Sequence, residues 1–99
     1  MDITWHEPKA RRNKQKHGLD FSQAAEVFAD PLAQTMWDRF VQGEDRWRTV
    51  GAIVSDRAFR IVVVIHTYPA GDDGWVHIIS LRDATAHERR AYESQICNQ

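Results

Sequence analysis

The amino-acid sequence predicts a small α+β domain with one antiparallel β-sheet, two N-terminal helices and one C-terminal helix. Three observations support this fold class. The chain has 99 residues, of which 42% are hydrophobic, and this size suits a single domain, residues 1–99, with one core. Segments rich in helix formers lie near both ends, and apolar β-branched segments separated by short polar turns lie between them. Because short connections favour antiparallel neighbours, these strands are expected to form a four-stranded meander.

The first eighteen residues predict a short edge strand followed by a helix. Residues 3–5 are the candidate edge strand. Residues 9–17 are rich in helix formers, and Gly18 suits the position just after a helix C-terminus. The inner face of this helix is unusual, because it carries Asn13 and His17 where a small domain normally buries apolar side chains.

A second helix is predicted directly after the first. Asp20 and Gln23 have the spacing of a capping box, and Asp30 with Pro31 ends the helix. Apolar residues recur at helical spacing between these limits, which predicts a buried stripe. The predicted stripe consists of Phe21, Ala24, Ala25 and Phe28.

Four strands and a final helix complete the predicted fold. The third strand is apolar on both faces and β-branched, which is typical of a central strand. Gly51 in the second strand marks a bulge or a close approach of another element. Thr85 and Glu88 have the spacing of a capping box at the start of the last helix. The four predicted strands cover residues 34–40, 47–54, 59–67 and 75–81.

Composition argues against several classes of protein. The longest unbroken apolar run covers residues 61–65, far shorter than the roughly 20 residues of a membrane-spanning helix. The first residues lack the basic and apolar segments of a signal peptide, so a cytoplasmic location without membrane contact is expected. The single cysteine, Cys97, cannot form an internal disulfide bond, and no cysteine cluster suggests zinc.

The net charge of −1 conceals an uneven distribution of charge along the chain. Residues 1–18 carry five Lys or Arg against two acidic residues, and residues 46–70 carry four against one. Residues 19–45 carry six acidic residues against one Arg. The two basic blocks either meet in one basic patch or are solvated surfaces without a ligand.

Candidate chemistry rests on polar residues within apolar strands, because no phosphate-binding loop or other strong catalytic motif is present. Arg60 and His66 are predicted to share one strand face, and Arg82 ends the fourth strand. Arg82 has two interpretations: a salt bridge to Glu88, or membership of an arginine cluster that binds a phosphodiester. His66 and His77 on adjacent strands form a weaker candidate for a metal site, because a third ligand is missing.

Motifs along nearly the whole chain resemble the BrnT family of bacterial toxins. The resemblance begins at Trp5 and ends at Tyr92, with its parts in the family's order. Each motif is modest by itself, but their combination is specific. The matching residues are Trp5, Lys9, Asn13, Lys16, His17, Gly18, Phe21, Glu44, Arg46, Trp47, Gly51, Ile78, Ile79, Ser80, Arg82, Glu88, Arg89 and Tyr92.

This resemblance implies a RelE-like fold and a type II toxin that cleaves RNA and inhibits translation. It also implies a BrnA-type antitoxin with a ribbon-helix-helix region, through which the complex contacts operator DNA. We expect metal-independent cleavage, with no cofactor, in which arginine and lysine stabilise charge and a histidine moves a proton. The residues expected to act in catalysis are Lys16, His17, Arg60, His66 and Arg82. The residues expected to contact RNA are Lys9, Arg12, Asn13, Arg46, Arg48, Arg89 and Tyr92.

The chain departs from the family pattern at four positions in the expected RNA-facing region. His6, Pro69, His77 and Asp83 stand where the family often has other residues, and together these changes remove positive charge. An alternative function is therefore a toxin-like binding module that holds an antitoxin but has lost RNA cleavage.

Overall fold

The computed structural model describes residues 1–71 and 74–97. In this part of the chain, five strands form one β-sheet, and three helices and a 3₁₀ turn pack against it. The elements are β1 (Asp2–Trp5), α1 (Glu7–His17), the 3₁₀ turn (Phe21–Gln23), α2 (Ala24–Ala29), β2 (Gln34–Val41), β3 (Glu44–Ser55), β4 (Ala58–Thr67), β5 (Trp75–Asp83) and α3 (Ala86–Cys97).

The sheet has the strand order β1-β5-β4-β3-β2. Strands β2 to β5 are antiparallel neighbours in chain order, which confirms the predicted meander. β1 is the edge strand, but it pairs with β5 in parallel, with Asp2 opposite Trp75 and Trp5 opposite Ile78. The prediction of an antiparallel sheet is therefore wrong at this edge, and the sheet is five-stranded and mixed. Most of the chain separates β1 from β5, so no hairpin turn fixes their relative direction.

Different helices cover the two faces of the sheet. α1 and α2 cover one face, where Val62 and Val64 of β4 share a core with Val27. α3 covers the other face, where Val63 shares a core with Tyr92. Because successive residues of a strand point to opposite faces, β4 contributes to both cores, as expected of a central strand. We call these two surfaces the α1/α2 face and the α3 face.

The second helical segment begins with the 3₁₀ turn, and α2 is only six residues long. Ser22 N donates to Asp20 Oδ1 at 3.1 Å, and Asp20 N donates to Gln23 Oε1 at 2.8 Å, within the predicted capping box. A 3₁₀ turn has three residues per turn instead of 3.6. The buried stripe therefore continues to Val27, and the prediction of a buried Ala25 is wrong because this residue is exposed.

Gly51 allows α2 to lie close to β3. A Cβ atom at this position would lie 2.9 Å from Val27 Cγ1 and 3.2 Å from the Val27 carbonyl oxygen. β3 pairs with β4 in uninterrupted register around this residue. Of the two predicted roles for Gly51, the structure therefore confirms the close approach and not the bulge.

Asn13 continues the hydrogen bonding of β5 beyond the end of β1. β1 covers β5 only as far as Ile78. Past this point, Asn13 Nδ2 donates to the Leu81 carbonyl oxygen at 2.8 Å, and Leu81 N donates to Asn13 Oδ1 at 3.1 Å. The same Nδ2 donates to the Leu19 carbonyl oxygen at 3.3 Å. The polar inner face of α1 thus satisfies backbone groups that would otherwise be buried without partners.

Asn13→Leu is expected to lower the free energy of unfolding by about 2 kcal/mol, because it leaves the buried backbone groups of Leu81 unpaired. Urea unfolding of the purified protein measures this change. Gln15→Leu, at an exposed position of the same helix, is the matched control and should change the stability by less than about 0.5 kcal/mol. Equal destabilisation by both substitutions would contradict the role given to Asn13.

Candidate functional site

The structure separates the predicted catalytic residues into groups on opposite faces of the sheet. Arg60 pairs in register with Ile53, a core residue of the α1/α2 face. His66 lies on the same face of β4, because residues an even number of positions apart on a strand point to the same face. Arg82 pairs in register with Val63 and lies on the α3 face. One phosphodiester therefore cannot contact all three side chains.

A β-bulge in β5 produces this separation. Ile65 pairs with Ser80, whereas the next residue of β4, His66, pairs with Ile78, so β5 contains one extra residue at this point. Strict alternation along β5 would place Ile78 and Arg82 on the same face. With the bulge, Ile78 joins the core of the α1/α2 face, while Arg82 lies on the α3 face.

Arg60 forms a two-point ion pair on the α1/α2 face. Its Nε and Nη2 donate to the two carboxylate oxygens of Asp83 at 2.6 and 2.8 Å. Nη2 also donates to the His17 carbonyl oxygen at 3.4 Å, at the C-terminal end of α1. The hydrogen bonds from Arg60 lower the pKa of Asp83. Arg60 therefore joins β4, β5 and α1, and Asp83 neutralises its charge.

His66 is fully buried, with 0% of its surface exposed. Its Nε2 lies 2.8 Å from Thr49 Oγ1, and its ring makes edge-to-face contacts with Phe28 and Tyr68. Burial lowers the pKa of His66 from 6.5 to about 4, so the ring is neutral at physiological pH. A buried, neutral ring does not fit the predicted role in proton transfer to RNA.

A small cleft on the α3 face carries arginines from three strands. Arg39 of β2, Arg46 of β3 and Arg82 of β5 line this cleft, whose volume is about 230 Å³. Arg48 borders it, because Arg48 Nη1 lies 3.6 Å from Glu88 Oε2, an atom that also accepts a hydrogen bond from Arg82. We call this site the arginine cleft. Its other lining residues are Asp38, Ile65, Ile79 and Ser80.

Glu88 holds Arg82 in place in the arginine cleft. Arg82 Nη1 and Nη2 donate to Glu88 Oε1 and Oε2 at 2.8 and 3.1 Å, which confirms the predicted salt bridge. Thr85 N donates to Glu88 Oε1 at 2.8 Å, and Glu88 N donates to Thr85 Oγ1 at 3.1 Å, which confirms the predicted capping box of α3. The hydrogen bonds from Arg82 lower the pKa of Glu88 to about 2, so this carboxylate is ionised at physiological pH.

The arginine cleft has an excess of positive charge. Asp38 pairs with Arg39 at 2.7 Å and with Arg48 at 3.7 Å. Glu88 is the second carboxylate of the site, and among the described residues Arg46 has no acidic partner within 4.0 Å. Four guanidinium groups thus share two carboxylates. This arrangement favours the binding of an anion with several oxygen acceptors, such as a phosphodiester.

Two of the predicted RNA contacts are buried side chains with a structural role. Asn13 is 8% exposed and binds the backbone of Leu81. Tyr92 is 5% exposed, and its hydroxyl group donates to Asp30 Oδ2 at 2.5 Å. Burial raises the pKa of Tyr92 to about 12. Both side chains hold helices to the rest of the fold and lack a free surface for RNA.

The other predicted contacts outside the arginine cleft are exposed cations. Arg89 lies on α3, 4.0 Å from Glu93, and lines a different groove. Lys9, Arg12 and Lys16 are exposed on α1. The predicted site residues that the structure brings together at the arginine cleft are Arg46, Arg48 and Arg82.

Asp38 and Arg39 line the arginine cleft, although neither was among the predicted site residues. The register of β2 shifts between Trp37 and Arg39, which marks a second β-bulge, and beyond it Arg39 pairs with Arg46. Because of this bulge, the Asp38 carboxylate and the Arg39 guanidinium group both lie at the cleft. The available signal was a charged pair within the weakest predicted strand, but the pattern of alternation alone does not locate a bulge.

His66 and His77 do not share a metal site. His66 pairs with Ile78 and His77 pairs with Thr67, so the two imidazole rings lie on opposite faces of the sheet. Among the side chains that the structure describes, no group of three His, Cys, Asp or Glu residues is arranged to hold a metal ion.

Comparison with protein families identifies the chain. The profile of one family, described as the ribonuclease toxin BrnT of type II toxin-antitoxin systems, matches residues 5–88. The chain belongs to the BrnT family. The match confirms the resemblance of the sequence motifs, and it spans every residue that lines the arginine cleft. BrnT proteins are ribonuclease toxins of type II toxin-antitoxin systems, so an antitoxin is the partner that membership implies.

A search of curated proteins found no match to the chain. In the described part of the chain, the helices are too short or too polar to cross a membrane.

Proposed function

We propose that this BrnT protein is a metal-independent endoribonuclease that cleaves RNA at the arginine cleft. One observation supports this most strongly: Arg39, Arg46, Arg48 and Arg82 converge on one face of the sheet, where two carboxylates of the described residues oppose them. Arginine remains charged at any working pH and donates to phosphate through two parallel hydrogen bonds.

The proposed reaction is a transesterification within the RNA. The 2′-hydroxyl loses its proton to solvent, and its oxygen forms a bond to the adjacent phosphorus. The bond from phosphorus to the 5′-oxygen breaks, and this oxygen takes up a proton from solvent, so the products are a 2′,3′-cyclic phosphate and a 5′-hydroxyl. Negative charge accumulates on the phosphoryl oxygens in the transition state, and fixed cations stabilise it. Glu88 keeps the Arg82 guanidinium oriented by binding two of its nitrogens, so little reorganisation is needed during the reaction.

Cleavage at the arginine cleft involves fewer residues than the five predicted to act in catalysis. Arg82 retains its role, with Arg46 and Arg48 beside it. Arg60 and His66 lie on the opposite face of the sheet and are given no role in catalysis. His17 is excluded with them, because its carbonyl oxygen accepts a hydrogen bond from Arg60. The exposed cations of α1, Lys9, Arg12 and Lys16, lie over the α1/α2 face and are likewise left out of the proposed contact with RNA at the arginine cleft.

The proposed biological role follows from the family. RNA cleavage in the cytoplasm would inhibit translation, and a BrnA-type antitoxin with a ribbon-helix-helix region would neutralise the toxin. The complex would then repress its own operon, with the antitoxin alone contacting the operator DNA.

A second candidate function is a binding module without cleavage. The specific observation in its favour is that Asp38 and Glu88 already occupy Arg39, Arg48 and Arg82, so RNA must compete with two internal carboxylates. In this case the chain would still bind its antitoxin tightly.

Incubation of the purified chain with single-stranded RNA tests the proposed function. We expect fragments with a cyclic phosphate and a 5′-hydroxyl, formed equally with and without EDTA, and no cleavage of DNA of the same sequence. Cleavage abolished by EDTA, or fragments with a 5′-phosphate, would contradict the proposed chemistry. Intact RNA together with tight antitoxin binding would select the binding module.

A further inference from the structure

A second, larger depression of about 880 Å³ lies between α3, the end of α2 and the β3–β4 hairpin. Three large apolar side chains line it although they are well exposed: Val54 by 54%, Phe59 by 81% and Ile96 by 52%. We call this depression the apolar groove. Exposed apolar surface of this kind is a feature of sites that bind another molecule.

The apolar groove is separate from the arginine cleft. Arg89, Tyr92, Glu93 and Ile96 of α3 line the groove, and their spacing places them on one side of the helix. Glu88, which binds Arg82 in the arginine cleft, is not among the groove residues. The groove and the arginine cleft share no lining residue, so an occupant of the groove need not cover the arginine cleft.

The charge of the apolar groove argues against RNA as its occupant. Among the residues that the structure describes, four carboxylates and two guanidinium groups line the groove, so the formal charge of this described lining is −2. A polyanion would be repelled, and a second copy of the chain would bring two acidic surfaces together. A partner with basic side chains around an apolar centre fits the charge. The charged lining residues are Glu26, Asp30, Asp83, Glu93, Arg60 and Arg89.

The backbone of the apolar groove argues against an added β-strand. β2 pairs with β3 only as far as Val50, so no strand of residues 1–71 or 74–97 pairs with this edge of β3 beyond that point. Ala52 N donates to Asp30 Oδ2 at 2.9 Å, and Val54 N donates to Glu26 Oε1 at 3.3 Å. These carboxylates occupy the donors that an incoming strand would need. A helix has no such requirement, because its backbone hydrogen bonds are internal.

We propose that the apolar groove binds an amphipathic α-helix of the antitoxin. The apolar side of this helix would contact Phe59, Val54 and Ile96, and flanking Lys or Arg side chains would face Glu26 and Glu93. Apolar residues spaced at i, i+4 and i+7 are the pattern expected for such a segment. The proposal depends on the toxin–antitoxin pairing of the family, but it does not depend on RNA cleavage.

Titration calorimetry with the purified antitoxin from the same operon tests this site. Phe59→Glu should weaken antitoxin binding by about 100-fold, because it places a charge at the centre of the contact and adds to the acidic lining. Ile96→Glu, on the opposite wall, should act in the same direction. Phe40→Glu is the matched control, since Phe40 is 63% exposed but lies outside the groove, and it should change affinity by less than about threefold. All three positions are exposed, so the variants should fold.

The possible outcomes distinguish a failure of the groove proposal from a failure of the proposed RNA cleavage. Loss of antitoxin binding in Phe59→Glu with unchanged RNA cleavage supports the groove. Wild-type affinity in both Phe59→Glu and Ile96→Glu would overturn the groove while leaving the toxin assignment intact. No binding of the antitoxin by the wild-type chain would contradict the groove and the pairing together. Overlapping peptides that cover the antitoxin sequence would identify the fragment that binds. Circular dichroism of this fragment in the complex should show a helix, and an extended fragment would overturn the helical assignment.

Discussion

Arg82→Ala is expected to lower the rate of RNA cleavage by about 10²- to 10³-fold, the usual effect of removing one charged donor from a transition-state site. The substitution removes the two-point donor that Glu88 orients toward the arginine cleft. Arg82→Lys keeps the charge but loses the planar geometry, so it should restore only part of the rate. The rate of appearance of 5′-hydroxyl ends under single-turnover conditions measures both effects.

Arg60→Ala is the matched control for Arg82→Ala. Both residues are arginines of neighbouring strands, and each binds one carboxylate through two nitrogens. Because Arg60 lies on the α1/α2 face, its loss should reduce stability but change the rate per folded molecule by less than about threefold. If Arg60→Ala abolishes cleavage and Arg82→Ala does not, the arginine cleft is not the reaction site.

His66 is expected to make the fold sensitive to mild acid. Its pKa is about 4 in the folded protein and near 6.5 when the ring is exposed, so the unfolded state binds more protons between these values. Stability is therefore fully present above pH 6.5 and falls as the pH drops toward 4. The full loss is about 3 kcal/mol, of which about 2 kcal/mol falls between pH 7 and pH 5.

His66→Gln tests this dependence, because glutamine does not titrate and its amide can still reach Thr49. Urea unfolding at pH 7 and pH 5 should show a smaller loss of stability for this variant than for the wild-type chain. The range above pH 5 is informative because the carboxyl groups with lowered pKa, such as Asp83 and Glu88, titrate below it. An identical pH dependence in both proteins would show that His66 does not titrate as its burial requires.

Local patterns in the sequence predicted much of the fold. The capping boxes at Asp20 and Thr85 depend on residues three apart, and Gly51 marked the point where α2 approaches β3. The direction of β1 was not predictable in this way. Its pairing with β5 joins distant parts of the chain, and no local turn chemistry specifies a parallel or antiparallel neighbour.

The site was harder to predict than the fold, because its geometry depends on two β-bulges. The bulge in β5 moves Arg82 to the face opposite Ile78, and the bulge in β2 brings Arg39 beside Arg46. The alternation of side chains along a strand predicts which residues share a sheet face only within a segment that contains no bulge. Family motifs identified Arg46 and Arg82, but the motifs do not state which sheet face either residue occupies.

The arginines that contact RNA can be observed directly. A 2′-O-methyl RNA oligonucleotide cannot be cleaved by attack of the 2′-oxygen, so it can be titrated into the ¹⁵N-labelled chain while the arginine Nε–H resonances are recorded by NMR. We expect the resonances of Arg46, Arg48 and Arg82 to shift with added RNA and that of Arg60 to remain unchanged. A shift of the Arg60 resonance with an unchanged Arg82 resonance would place RNA on the α1/α2 face and show that the arginine cleft is not the RNA site.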